Sequence, residues 1–106
     1  MADTPNKMPG SNEVDVLVGQ AWSLHYHGQN DNAIKSFRDL VQRWPDHIDA
    51  NYGLALSLKK AGQKAEATEV FNRAKSLIQS VEVKQDDENA RMQMLVRMIE
   101  QHLSRL

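Results

Sequence analysis

The chain repeats itself. "GQNDNAIKSF", from Gly28 to Phe37, returns as "GQKAEATEVF", from Gly62 to Phe71, 34 residues later. Residues 14–47 laid over 48–81 without gaps give nine identities: Asp15/Asp49, Gly19/Gly53, Ala21/Ala55, Ser23/Ser57, Leu24/Leu58, Gly28/Gly62, Gln29/Gln63, Ala33/Ala67 and Phe37/Phe71. Unrelated segments of average composition match several times less often. The chain therefore uses one structural unit twice.

Each unit reads as helix, turn, helix. Val14, Leu17, Val18, Ala21 and Leu24 recur at three- and four-residue steps, Gly28 stops that helix, and Asn30 is placed to cap the next. The second helix carries Ala33, Ile34, Phe37, Leu40, Val41 and Trp44 on one face and is closed by Pro45. Asp46 is read as the cap of the following helix, with Asp49 in its first turn. The second unit repeats this with Ile48, Leu54, Ala55 and Leu58, a stop at Gly62, then Ala67, Val70, Phe71, Ala74, Leu77 and Ile78. Ala21 with Ala33, and Ala55 with Ala67, fall where paired helices cross most closely, and Phe37 and Phe71 fill the wider space beside them.

These residues resemble the tetratricopeptide repeat family. The family's pattern of small residue, glycine, alanine, aromatic, small residue and closing proline is met by Ala21, Gly28, Ala33, Phe37, Leu40 and Pro45, then by Ala55, Gly62, Ala67, Phe71, Ala74 and Gln79. Leu40 is larger than usual. Asn51 stands where the family keeps a bulky apolar residue. Gln79 replaces the proline, which predicts that the last helix of the second unit runs on through Val81 toward Lys84. The remainder, "DDENARMQMLVRMIEQHLSRL", opens with Asp86 and Asp87 as caps and sets Met92, Leu95, Val96, Ile99, Leu103 and Leu106 on one stripe. Stacked repeats leave an apolar end, and a helix over about 87–105 is expected to cover it. The expected fold is all-α: a short superhelix of two repeats (14–47 and 48–81) plus a capping helix, five helices in one domain over 12–106. Pro5, Pro9, Gly10 and Ser11 mark residues 1–11 as a flexible leader.

Composition narrows the function. With 41% apolar and 25% charged residues the chain is an ordinary globular sequence, and its net charge of -1 argues against nucleic acid or an anionic membrane as partner. Zero cysteines remove disulfides, thiol nucleophiles and zinc-thiolate sites. "MADTPNKMPGSN" lacks the apolar run of a signal peptide, and no segment has the roughly 18 apolar residues of a membrane span, so the expected address is cytoplasmic. No nucleophile elbow or phosphate-cradling glycine loop is present, so neither catalytic residues nor a cofactor are expected. In "HYH", His25 and His27 point about 200° apart on a helix and cannot close on one ion, so no metal site is assigned.

The resemblance implies a binding face. First helices of such units line a concave groove, here through Asp15, Val18, Gly19, Trp22, His25 and Tyr26, then Asp49, Tyr52, Gly53, Leu56, Lys59 and Lys60. Val18, Trp22, His25, Tyr26, Tyr52, Leu56, Lys59 and Lys60 are the residues assigned to a partner. Their mixture of aromatic, aliphatic and basic groups suits an extended or helical peptide with an apolar anchor and an acidic group. Trp22 and Tyr52 packing on each other or on the last helix is the competing account. Gly19 and Gly53 share one repeat position, which predicts a bulky group against the backbone there, a ligand or Trp22 and Tyr52 themselves. The lysine and asparagine with which some members clamp chaperone carboxylates are replaced by Val18 and Trp22. The reading is a protein-binding adaptor or scaffold; the alternative is a module that assembles with its own copies. Met94 and Met98 form a shoulder beside the main stripe of the last helix, flanked by Arg91 and Arg105, and serve either as gap fillers or as a homodimer contact.

Overall fold

The computed structural model describes residues 11–80 and 87–106, with side chains from Glu13 onward and, in the last helix, from Ala90 onward. The leader over residues 1–10, the run through Val81 toward Lys84 and the capping roles of Asp86 and Asp87 lie outside what is described. Five α-helices follow in order: α1 (Ser11–Tyr26), α2 (Asn30–Arg43), α3 (Ile48–Lys60), α4 (Lys64–Ser80) and α5 (Asp87–Ser104), with no strand among the described residues. The all-α expectation holds. α1 begins at Ser11, inside the stretch read as leader.

The two inner turns are the same device used twice. Gly28 and Gly62 adopt φ of 81° and 83°, a left-handed conformation that a Cβ would strain. Gly28 N–H donates to His25 O at 3.2 Å and Gln29 N–H to Leu24 O at 2.9 Å, while Gly62 N–H donates to Lys59 O and Gln63 N–H to Leu58 O, both at 3.0 Å. This pair of bonds satisfies the last carbonyls of α1 and α3 and turns the chain back on itself. α2 ends where Trp44 N–H donates to Leu40 O at 2.7 Å and Pro45, lacking an N–H, cannot extend the ladder.

Two helix starts differ from expectation. Asn30 is the first residue of α2 rather than its cap; Gln29 occupies the cap position without a side-chain bond to the helix backbone, its Oε1 accepting from Asn32 Nδ2 at 3.1 Å. Asn30 instead donates from Nδ2 to Ser57 O at 3.0 Å, tying the start of α2 to α3. α3 is capped by His47 and not by Asp46: His47 Nδ1 accepts from Ala50 N–H at 3.1 Å, satisfying a free donor of the first turn. Asp46 is exposed.

Packing proceeds in sequence order, α1 on α2, α2 on α3, α3 on α4 and α4 on α5. Ala21, Ala33, Ala55 and Ala67 are all 0% exposed, as crossing points must be when axes approach closely. Phe37 and Phe71 are also fully buried, and such burial stabilises by about 1.5–3 kcal/mol per side chain. Asn51, in the family's apolar slot, is buried but fully engaged: Nδ2 donates to Pro45 O at 3.0 Å and His47 O at 2.8 Å, and Oδ1 accepts from Arg73 Nη1 at 3.5 Å. It closes the loop before α3 from the inside, which an apolar residue could not do.

The repeated glycines have different surroundings. A Cβ at Gly53 would overlap the Phe37 ring, so the bulky neighbour is a phenylalanine of the preceding unit and neither Trp22 nor Tyr52. At Gly19 nothing lies within 4 Å. The difference follows from stacking. Ala50, Gly53, Leu54 and Ser57 lie buried under α2, whereas their counterparts Val16, Gly19, Gln20 and Ser23 face outward on α1. Gln20 in place of Leu54 makes that outer face wettable.

α5 closes the other end. Its first half lies by Ile48 and Asp49 and its last turns by Tyr52 and Lys59, so it runs in the same direction as α3. Ile99 is wholly buried, and the His102 ring stacks on Phe71 with centroids 5.1 Å apart and planes 9° apart. His102 thus covers the second phenylalanine as Gly53 receives the first. An ion pair between Lys75 and Glu100 at 3.0 Å joins α4 to α5.

Candidate functional site

α1 and α3 run side by side and present one face, with α5 along its far edge. Its centre is Trp22. The Nε1–H donates to Asp49 Oδ2 at 3.2 Å, the indole meets Phe37 edge-on at 5.1 Å, and it leans toward Tyr52 at 6.3 Å. Tyr26, one turn on, stacks on the other part of Trp22 at 5.7 Å with 21° between planes, yet remains 75% exposed. Three neighbours fix the indole before any partner arrives, while one aromatic ring stands in water in a defined pose.

The remaining assigned residues divide by depth. Val18 and Tyr52, 6% and 7% exposed, form the floor of the face and not its contact surface. Tyr52 is flanked by Trp22, Phe71 and His102, so it packs both on the aromatic partner and on the last helix. Burial raises its hydroxyl pKa above the usual value, with Tyr26 and Asp49 adding to the effect. His25 and Leu56 are half-buried, and Lys60 is exposed. Asp15 and Gly19 are exposed at the rim, and Gly53 is hidden beneath Phe37.

Lys59 does something the sequence did not announce. Its ammonium donates to His102 Nδ1 at 2.8 Å. An ammonium has no acceptor, so Nδ1 must be unprotonated and the ring proton sits on Nε2, which faces Tyr52 Oη at a long 3.5 Å. Burial, then Lys59, then Arg105, push the His102 pKa below its ordinary value. His25 is lowered in the same way, by burial first and Lys60 second, and its Nδ1 lies 3.3 Å from Ser57 Oγ. Lys59, Lys60 and Arg105 gather at this end of the face and form no ion pair among the described residues. His27 is separate from His25 and bonds Ser23 O at 2.7 Å. Among the described residues no three His, Cys, Asp or Glu side chains gather as a metal site would require, and no helix is long and apolar enough to cross a membrane.

Met94 and Met98 are 61% and 41% exposed, so neither is a core gap filler. They border a trough of about 360 Å³ whose other walls are Ile48, Asp49, Arg91, Met92 and Leu95. One contact and one residue of the site escaped sequence reasoning. Asp49 was placed on the groove and at the helix start, but its bond to Trp22 follows from stacking one unit on the next. His102 lies outside the repeat altogether, and no local pattern marks its place beside Tyr52.

The tetratricopeptide repeat family model matches residues 18–81. Neither a curated protein sequence nor a solved structure matches the chain significantly. The family match covers both helical pairs and more than half of the chain, in agreement with the duplicated glycine turns and alanine crossings, and the chain belongs to the tetratricopeptide repeat family, whose units serve generally as protein–protein interaction modules.

Proposed function

We propose that the face formed by α1 and α3 takes an extended or helical segment of another protein. A large apolar side chain of that segment rests on Trp22, Tyr26 and Leu56, and a carboxylate lies against Lys60 within the positive field of Lys59 and Arg105. The observation that carries this reading is the exposed Tyr26 ring held parallel to a Trp22 that Asp49 already fixes. A rigid, pre-placed aromatic costs little ordering when a partner covers it, and such anchors dominate recognition energy. The lysine end, which forms no ion pair among the described residues, supplies direction, since only one polarity of an acidic segment brings anchor and charge into register. No chemistry is assigned to the chain; its work is adaptor-like.

Affinity selection from a random displayed peptide library tests the reading. Sequences that pair a large apolar residue with Asp or Glu should be enriched, should lose affinity to Tyr26→Ala and Lys60→Glu, and should weaken with added salt. Enrichment of neutral sequences, or equal retention by Lys60→Glu and the unaltered chain, would refute it. Lys59 is left untouched in this test because it also holds His102.

A further inference from the structure

α5 is thinly attached. From Ala90 onward only Ile99 is buried, with Met92, Leu95, Val96, His102 and Leu103 half-buried, whereas α2, α3 and α4 each bury at least four side chains. Elements that hide little apolar surface are the first to open locally. One polar side chain fastens the last turns. The His102 ring lies flat on Phe71 of α4 with centroids 5.1 Å apart, its Nδ1 accepts from Lys59 of α3 at 2.8 Å, and its Nε2 lies 3.5 Å from Tyr52 Oη. A single imidazole therefore reaches both neighbouring helices.

That fastening requires a neutral ring. The second proton of an imidazolium goes to Nδ1, the atom that now accepts from Lys59, and sets a donor against a donor and a cation against a cation. The surroundings offer the proton no compensation. From α3 the ring meets Lys59 and the Tyr52 hydroxyl, from α4 the Phe71 ring, and on α5 itself Arg105 adds a further positive charge. Among the described residues no carboxylate pairs with His102, and Glu100 of α5 is engaged with Lys75 of α4 at 3.0 Å. A ring released into water takes up its proton in the ordinary way.

We infer that α5 is a proton-operated cover: protonation of His102 drives its ring off Phe71 and away from Lys59, and frees the last turns of α5 from the α3 and α4 pair while α1 to α4 remain folded. Release uncovers the faces of Phe71 and Tyr52 that His102 now covers and returns Lys59 to solvent. The row of rings formed by Tyr26, Trp22 and Tyr52 then gains Phe71 at its end. Because the docked ring has its pKa below the ordinary 6.5, docking is complete above that pH and is lost as pH falls through the lower docked value. The device does not depend on what binds the aromatic face.

Backbone hydrogen exchange of the full chain, corrected at each pH for the intrinsic rate of an unstructured peptide, tests it. At neutral pH the amides of Val96 to His102 should be less protected than those of Ile34 to Leu40 in α2, because α5 opens by itself. From about pH 7.5 to about pH 5 the α5 protection should fall by about threefold or more, with a ceiling of about tenfold per pH unit for one proton, while α2 stays well protected. His102→Phe, which keeps a ring on Phe71, should remove that fall, and nitrogen NMR should find the proton of the neutral His102 ring on Nε2. The proposal is overturned if α5 and α2 amides are equally protected at every pH, if α5 protection does not fall toward acid pH or falls as far in His102→Phe, or if the neutral ring carries its proton on Nδ1. A His102→Phe chain that failed to fold would lose protection in α2 as well, and the exchange and ring tautomer of the unaltered chain then still decide.

Discussion

The pair Gly19 and Gly53 allows one substitution to be tested twice against itself. Replacing either by Ala removes a helix-interior glycine, and on propensity alone each change stabilises by about 0.5–1 kcal/mol. At Gly19 that gain stands alone, because nothing lies within 4 Å of the new methyl group. At Gly53 the methyl overlaps the Phe37 ring, which is 0% exposed and has no room to withdraw. Overpacking of this kind costs about 1–3 kcal/mol. Since the propensity gain is common to both variants, the difference between them isolates the overpacking cost. At roughly 4–8 °C per kcal/mol for a domain of this size, Gly19→Ala should melt above the unaltered chain and Gly53→Ala below Gly19→Ala by at least about 4 °C. Thermal unfolding followed by circular dichroism at one pH measures both. Equal shifts in the same direction would refute the claim that Gly53 is a seat for Phe37 and that Gly19 is its vacant counterpart.

Two further predictions follow from buried polar groups. Asn51→Leu restores the family's apolar character but removes the side-chain donor of the Pro45 and His47 carbonyls, the second of which keeps the backbone N–H of residue 51, and should lower stability by about 1–3 kcal/mol in urea titration; a neutral or stabilising result would mean that the loop needs no internal bond. For His102, the folded state lowers the pKa below the ordinary 6.5, so the unfolded chain takes up the proton first. The stability it contributes is present above pH 6.5 and is lost as pH falls through the lower folded value, and His25 acts in the same sense. The urea midpoint should therefore drop from neutral to mildly acid pH, and His102→Phe, which keeps an aromatic on Phe71 without a titrating group, should flatten that slope.

What the sequence discloses is whatever depends on near neighbours. The glycine stops, the alanine crossings and the four repeat helices follow from local periodicity, because a helix and its antiparallel mate lie within one unit. Errors arise where one unit meets the next. Asn30 has a capping residue's chemistry, yet it stands one position past the cap as the first residue of α2, and its amide Nδ2 donates to a carbonyl of Ser57 in the following unit. Asp46 is the better cap by type, but the close turn after Pro45 brings the ring nitrogen of His47 to Ala50 N–H instead. Asn51 reads as a flaw until the loop carbonyls it serves are seen.

The same division governs the binding face. Trp22, Tyr26 and Lys60 are recognisable as surface groups because they sit on the outward positions of regular helices. Val18 and Tyr52 occupy equivalent positions and are buried, Tyr52 under Trp22 on one side and His102 on the other. A repeat pattern assigns each position one environment, but α3 lies under α2 whereas the corresponding face of α1 is exposed, so equivalent positions receive different neighbours. Gly19 and Gly53 show this at the backbone; Tyr26 and its counterpart Lys60 show it in chemistry, one aromatic and one cation on successive helices. In the proposed binding mode that inequality makes the face directional. In a long uniform solenoid a segment could slide by one repeat with little penalty, whereas here displacement by one unit would move an apolar anchor from Tyr26 onto Lys60 and a carboxylate away from its cations. In the proposed binding mode the difference between the two units therefore sets a register for the bound segment.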